Sequence, residues 1–301
     1  MASSPPLQSQ HGAVVPNPVS MNLLMLSWVA ASFPHARHQA LLCMGGSDGY
    51  HALRRSLGPG GYPEHTILLT NVNIMDVGVE VEVDTELPFG FLNGCTELTS
   101  LDFTPFVNVT QLTWNFLAGC TRLKVVNLSG LQNVTELQPG FLAGCTGLTS
   151  LDFTHFTKVT KLSREFLAGC TGLKEINFNG LQNVSDIRGG FLRGCTGLTS
   201  LKFNLFTKVL QLGEAFLTKC GRLKEVDFSG LESVTEIGPH FVKDCIGLTS
   251  LDFTPFINVT QLPKKFLVGC TGLKEINFNG LQNVTEILPG FMRGCSGLTS
   301  L

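Results

Sequence analysis

Nine of the 10 cysteines stand at Cys95, Cys120, Cys145, Cys170, Cys195, Cys220, Cys245, Cys270 and Cys295, one every 25 residues, and only Cys43 lies outside the series. Thiols at a fixed spacing can ligate zinc, pair as disulfides or act as nucleophiles. Zinc needs close clusters such as Cys-x2-Cys or histidines at helical spacing. No such cysteine cluster occurs, and His35 and His38 are the only close pair among the 7 histidines, so no metal site is expected. Disulfides between neighbouring repeat copies are within reach, because stacked strands lie about 5 Å apart. Direction argues against them: side chains in one column of a stack point the same way, and most of these cysteines occupy a small apolar position between Gly and Thr. Free buried thiols follow, at ease in a reducing compartment.

The other chemical strings are weaker. Gly45-Gly46-Ser47-Asp48-Gly49 matches the GxSxG nucleophile elbow. It lacks a strand-turn-helix context, and the repeats supply only His155 and His240 as bases, so no catalysis is predicted. Neither GxxxxGK[ST] nor GxGxxG is present, and no cofactor is expected. Asn-x-Ser/Thr occurs at Asn108, Asn127, Asn133, Asn183, Asn258 and Asn283. These would accept glycans only in an exported chain. Five of the six share one repeat column, whose other rungs are Lys158, Lys208 and Ser233, so duplication accounts for them.

What positions these residues is a repeat with two alternating units, LTSLDFTPFVNVTQLTWNFLAGCTR from Leu98 and LKVVNLSGLQNVTELQPGFLAGCTG from Leu123, giving a larger period of 50 residues. Both share one apolar skeleton: Leu98, Leu101, Phe103, Phe106, Val109, Leu112, Phe116, Leu117 and Cys120 in the first. No helical period fits that order. The LxxLxL opening reads as a short strand and NVTxL as a second extended piece, while FLxGC predicts about one helical turn closed by a left-handed glycine such as Gly119 or Gly144. One coil cannot bury nine apolar side chains alone, so coils must stack into a solenoid with a shared core. Of 22 phenylalanines, only Phe33 and Phe89 fall outside repeat columns, and the column from Phe91 to Phe291 is unbroken.

Composition sets further limits. Lys plus Arg total 21 against 23 Asp plus Glu, a net charge of -2, which offers no basic field for nucleic acid. The longest apolar run, Met21 to Phe33, is 13 residues, too short for the roughly 20 that span a bilayer. No basic n-region precedes it, so it makes a poor secretory signal. Residues 1–20 read as a disordered segment, 21–57 as a small helical module divided at Pro34, 58–65 as a linker, 66–94 as an N-terminal capping coil and 95–301 as the solenoid. Thr299-Ser300-Leu301 falls in mid-strand, which predicts a truncated repeat and self-association through an uncapped coil.

FLAGCTGLTSLDF, Phe141 to Phe153, resembles the FxxCxxLxxLxL pattern of the BspA-like leucine-rich repeats, and the likeness recurs from about Val83 to Leu301. The family, expanded in parasitic protists and bacteria, implies a non-enzymatic solenoid; the coil here is two residues longer than its usual unit. In the LxxLxL strand the residues between apolar positions face outward together. One outward column contains Ser100, Glu175, Glu225 and Glu275, another Asp102, Asn127, Asp152, Asn177, Lys202, Asp227, Asp252 and Asn277. This polar, mildly acidic grid is the expected binding face for a protein partner, in a chain expected to be cytoplasmic. The alternatives are a secreted or surface adhesin, as the resemblance suggests for exported members, and an F-box-like adaptor of a ubiquitin ligase built on Pro16 to Leu57. Residues 201–245 depart most from the copies, with Lys202, Asn204, Leu205, Lys219 and Asp244 among the changes.

Overall fold

The computed structural model describes residues 87, 90–96, 98–104 and 106–299. The segments 1–20, 21–57 and 58–65, most of 66–94, and with them Cys43 and the GxSxG string, lie outside the described residues.

Each coil from Leu123 onward makes two short strands, and the coil before it makes one. Those of the first kind are β1 (Ser100–Asp102), β2 (Val125–Asn127), β4 (Ser150–Asp152), β6 (Glu175–Asn177), β8 (Ser200–Lys202), β10 (Glu225–Asp227), β12 (Ser250–Asp252) and β14 (Glu275–Asn277). The second kind comprises β3 (Glu136–Leu137), β5 (Lys161–Leu162), β7 (Asp186–Ile187), β9 (Gln211–Leu212), β11 (Glu236–Ile237), β13 (Gln261–Leu262) and β15 (Glu286–Ile287). All pair in parallel with partners 25 residues away, as in Leu101 opposite Val126 and Leu137 opposite Leu162. The described residues therefore form a stack of coils with one core, and the skeleton read from sequence fills it. Phe116, Phe141, Phe166, Phe191, Phe216, Phe241 and Phe266 are fully buried. Their rings stack nearly parallel at 5.2 to 5.8 Å. Each such ring contributes on the order of 2–3 kcal/mol of burial, which lets thin coils offset their ordering entropy.

The FLxGC segment is a turn, but not the helical one that its sequence predicts. Asn115, Leu117 and Gly119 alternate into left-handed φ of 58°, 55° and 73°. This turns successive amides toward opposite neighbours: Leu117 N–H donates to Phe91 O (2.9 Å), Asn115 N–H to Pro139 O (2.8 Å) and Gly119 N–H to Ala143 O (2.7 Å). A helical turn would have closed these groups on itself; here they make a third ladder between coils. The left-handed glycine is present, at φ 73° in both Gly119 and Gly144. Helix in the described solenoid is confined to single 3-10 turns at Ser129–Leu131 and Asn279–Leu281.

The 50-residue period has a physical cause. First-kind strands pair only two by two, β1 with β2, β4 with β6, β8 with β10 and β12 with β14. In the second coil of each pair a glycine is pressed onto the first: a Cβ on Gly130, Gly180, Gly230 or Gly280 would lie 1.8 to 2.4 Å from the carbonyl oxygen of Phe103, Phe153, Phe203 or Phe253. The intervening coils carry His155, Leu205 and Pro255 at that position, and their bulk leaves the other junctions unpaired. Second-kind strands run continuously from β3 to β11, then break before β13. Ladder donors there are Ser163, Arg188, Gly213 and Gly238, bonded to carbonyls of the preceding coil at 2.7 to 3.0 Å. The next rung is Pro263, which has no N–H to give.

Candidate functional site

The outward strand columns lie where the sequence places them. In β4, β8 and β12 the middle residue is buried and its two neighbours are exposed. The two columns differ in what they do. Asp152 Oδ1 accepts from Thr154 N–H (3.0 Å) and Thr154 Oγ1 (2.6 Å), and Asp102 and Asp252 repeat the arrangement. Asn177 Oδ1 accepts from Asn179 N–H (3.0 Å) while its Nδ2 donates to Asp152 Oδ1 (2.9 Å) and Thr154 Oγ1 (3.2 Å). Asn127 and Asn277 donate likewise to Thr104 and Thr254, and Asp227 accepts from Ser229 N–H. The Thr154 hydroxyl holds the Asp152 carboxyl below the usual carboxylate range, against a smaller opposing push from burial. These Asp and Asn side chains close the turn after the strand and tie adjacent coils together. Lys202, with Asn204 beside it, replaces the Asp-Thr pair and removes that carboxylate from one rung.

The other column is uncommitted. Among the described residues Glu175, Glu225 and Glu275 form no ion pair, and all three are exposed. Between the unpaired β10 and β12 the strand face opens into a groove of about 550 Å³, bordered by Glu225, Asp227, Asp252 and Glu275 over a floor that includes Phe228 and Pro255. Its place follows from the fold: it sits at the junction where the first ladder is unpaired and Pro263 also interrupts the second. That groove was not legible from the columns alone, although Pro255 and Pro263 were its signals.

The sequon column is also structural. Nδ2 of Asn133, Asn183, Asn258 and Asn283 donates to a carbonyl of the preceding coil at 2.7 to 2.8 Å. Lys158 and Lys208, the lysine rungs, donate Nζ to Asn133 and Asn183 Oδ1 at 2.7 Å. This is an asparagine ladder, and the amide nitrogen that would carry a glycan is its donor. The sequence showed the column without showing its purpose.

The thiols from Cys95 to Cys295 are free, and all but Cys295 are buried. Cys120, Cys145, Cys170, Cys195, Cys220, Cys245, Cys270 and Cys295 each aim Sγ at the carbonyl of a Leu or Val 28 residues earlier, at 3.0 to 3.2 Å. Burial pushes the Cys170 thiol up to about 12, and Cys195 well up in the same way. Protonated, occupied thiols such as Cys170 and Cys195 are poor nucleophiles and poor metal ligands. Among the described residues no group of three or more His, Cys, Asp or Glu is placed to hold a metal ion, and no helix is long and apolar enough to cross a membrane.

Residues 85–199 and 187–301 match the model of the BspA type leucine rich repeat region, in 6 copies. The solved structure of a leucine-rich repeat protein from T. pallidum is 26% identical with a TM-score of 0.47, over 56% of this chain and 72% of that one. A leucine-rich repeat protein from Eubacterium ventriosum is 14% identical with a TM-score of 0.41, over 67% and 59%. A leucine rich cell surface protein from Faecalibacterium prausnitzii is 18% identical with a TM-score of 0.30, over 67% and 72%. No curated protein matches the chain.

Proposed function

The chain belongs to the BspA-type leucine-rich repeat family, and on that premise we propose that it binds a protein partner through the first-kind strand face. Repeat proteins of this family are in general interaction scaffolds and typically not enzymes. The observation that carries the reading is the contrast between the two outward columns. Asp102, Asn127, Asp152, Asn177, Asp227, Asp252 and Asn277 are spent on turns and rungs, whereas Glu175, Glu225 and Glu275 form no ion pair among the described residues, and Glu225 and Glu275 border a groove. A rigid grid of this kind binds with little loss of conformational freedom, because its side chains are held by a stacked core.

A reducing, cytoplasmic setting is part of the proposal, supported by the buried column of free thiols. The test is affinity capture from the native source with wild-type chain and with Glu225→Lys and Glu275→Lys together, both variants verified as folded by circular dichroism. A specific partner held by the wild type and lost from the variant is the expected result. Equal recovery from both would remove the strand face from the account.

A further inference from the structure

We propose that a second surface, the turn edge between Lys219 and Arg293, docks an acidic segment of a partner protein. The turn segments of the FLxG type carry Arg164, Glu165, Arg193, Glu214, Lys219, Lys243, Asp244, Lys264, Lys265 and Arg293. Every carboxylate among them is already paired: Glu165 with Arg193, Glu214 with Arg164 at 2.9 Å, and Asp244 with Lys243 at 2.6 Å. What pairing leaves over is four exposed cations and no anion: Lys219, Lys264, Lys265 and Arg293 form no ion pair among the described residues.

These cations share one stretch of the edge. Lys219 N–H donates to Lys243 O (2.8 Å), His240 N–H to Lys264 O (3.0 Å) and Gly269 N–H to Arg293 O (2.9 Å), so their coils are consecutive neighbours. His240 sits among them with its imidazole held below the usual range, first by burial and then by the Lys265 and Lys243 charges, against an opposing pull from Glu214 and Asp244. The three steps from the Lys219 coil to the Arg293 coil, at about 4.8 Å each, span roughly 14 Å, the length of four or five residues of extended chain.

The backbone bears on how the charge can be tested. Lys219 has φ 64° and Asp244 φ 60° where the rungs at Gly119, Gly144, Gly169, Gly194, Gly269 and Gly294 hold glycine at 73° to 82°. A side chain in that left-handed position costs more than glycine does, so glycine at 219 relieves strain. The surrounding charge decides the partner: the cations at Lys219, Lys264, Lys265 and Arg293 outnumber the nearby carboxylates Glu214 and Asp244, each already paired, and favour a carboxylate-rich segment over a basic one.

The test is fluorescence anisotropy with a fluorescein-labelled, Glu-rich dodecapeptide and the full chain. Lys264→Glu with Lys265→Glu should weaken binding roughly tenfold or more, and added salt should weaken it further. Lys174→Glu with Lys224→Glu, on exposed positions at the start of first-kind strands, should leave it unchanged. Lys219→Gly should weaken the peptide while raising the melting temperature, a pairing that a merely structural lysine would not give. Where the double reversal fails to fold, Lys264→Ala with Arg293→Ala carries the same expectation. Equal loss in the two reversal variants, no loss in either, or tighter binding of a uridine oligonucleotide of the same charge would overturn the proposal.

Discussion

At the scale of single residues, the thiol column sets how the protein responds to alkali. Burial raises Cys170 to about 12, and Cys195 rises for the same reason, while the unfolded chain ionises near the ordinary value. Because the folded pKa lies above the unfolded one, this contribution to stability is complete below pH ~8.5. It is lost as pH rises from there toward 12, where only the unfolded state releases protons. Melting temperatures at pH 7.5 and pH 10 should therefore fall apart in the wild type, and the gap should narrow in Cys170→Ala. An unchanged gap would show that these thiols ionise in place. The asparagine column makes a separate demand: Asn183→Ala removes the donor to Thr157 O and the acceptor of Lys208. Urea unfolding should register a loss of about 1 kcal/mol.

At the scale of elements, the pairing of coils two by two rests on glycine. Gly230 has φ 92°, and a Cβ there would meet Phe203 O at 2.4 Å. Gly230→Ala should cost about 2–3 kcal/mol, more than alanine at an unstrained exposed site. The gap in the second ladder has the opposite remedy. Pro263→Ser supplies the missing N–H opposite Ile237, and hydrogen exchange at the amides flanking residue 263 should slow roughly tenfold. Exchange rates unaltered by the serine would mean that something besides proline holds β11 and β13 apart.

The strands, the core and the phenylalanine stack were legible in the sequence because burial imposes a period on residue types, and LxxLxL can only be read one way. The FLxGC turn was not, because a run such as Phe116-Leu117 has ordinary helix formers, and its left-handed backbone is dictated by hydrogen bonds to the coils on either side. The outward columns were legible as exposed, but not which of them was free. That distinction depends on Thr104, Thr154 and Thr254 reaching back two residues, a contact that a column alignment does not contain.

At the scale of the whole molecule, one continuous core carries edges and faces of different character. The first-kind strand face ends in free carboxylates and a groove at the junction where both strand ladders are interrupted, while the turn edge from Lys219 onward is left cationic by its own ion pairs. A net charge of -2 conceals this separation, since the opposed patches cancel in the sum. On the proposed reading, two such surfaces would let the chain hold two partner segments at once. The most direct measurement is photo-crosslinking in native extract with a benzophenone side chain placed in turn at Glu225, in the strand face, and at Gln211, on the second-kind strand. The account predicts a discrete crosslinked protein from position 225 and none from 211. Crosslinks from 211 alone, or the same products from both, would contradict it.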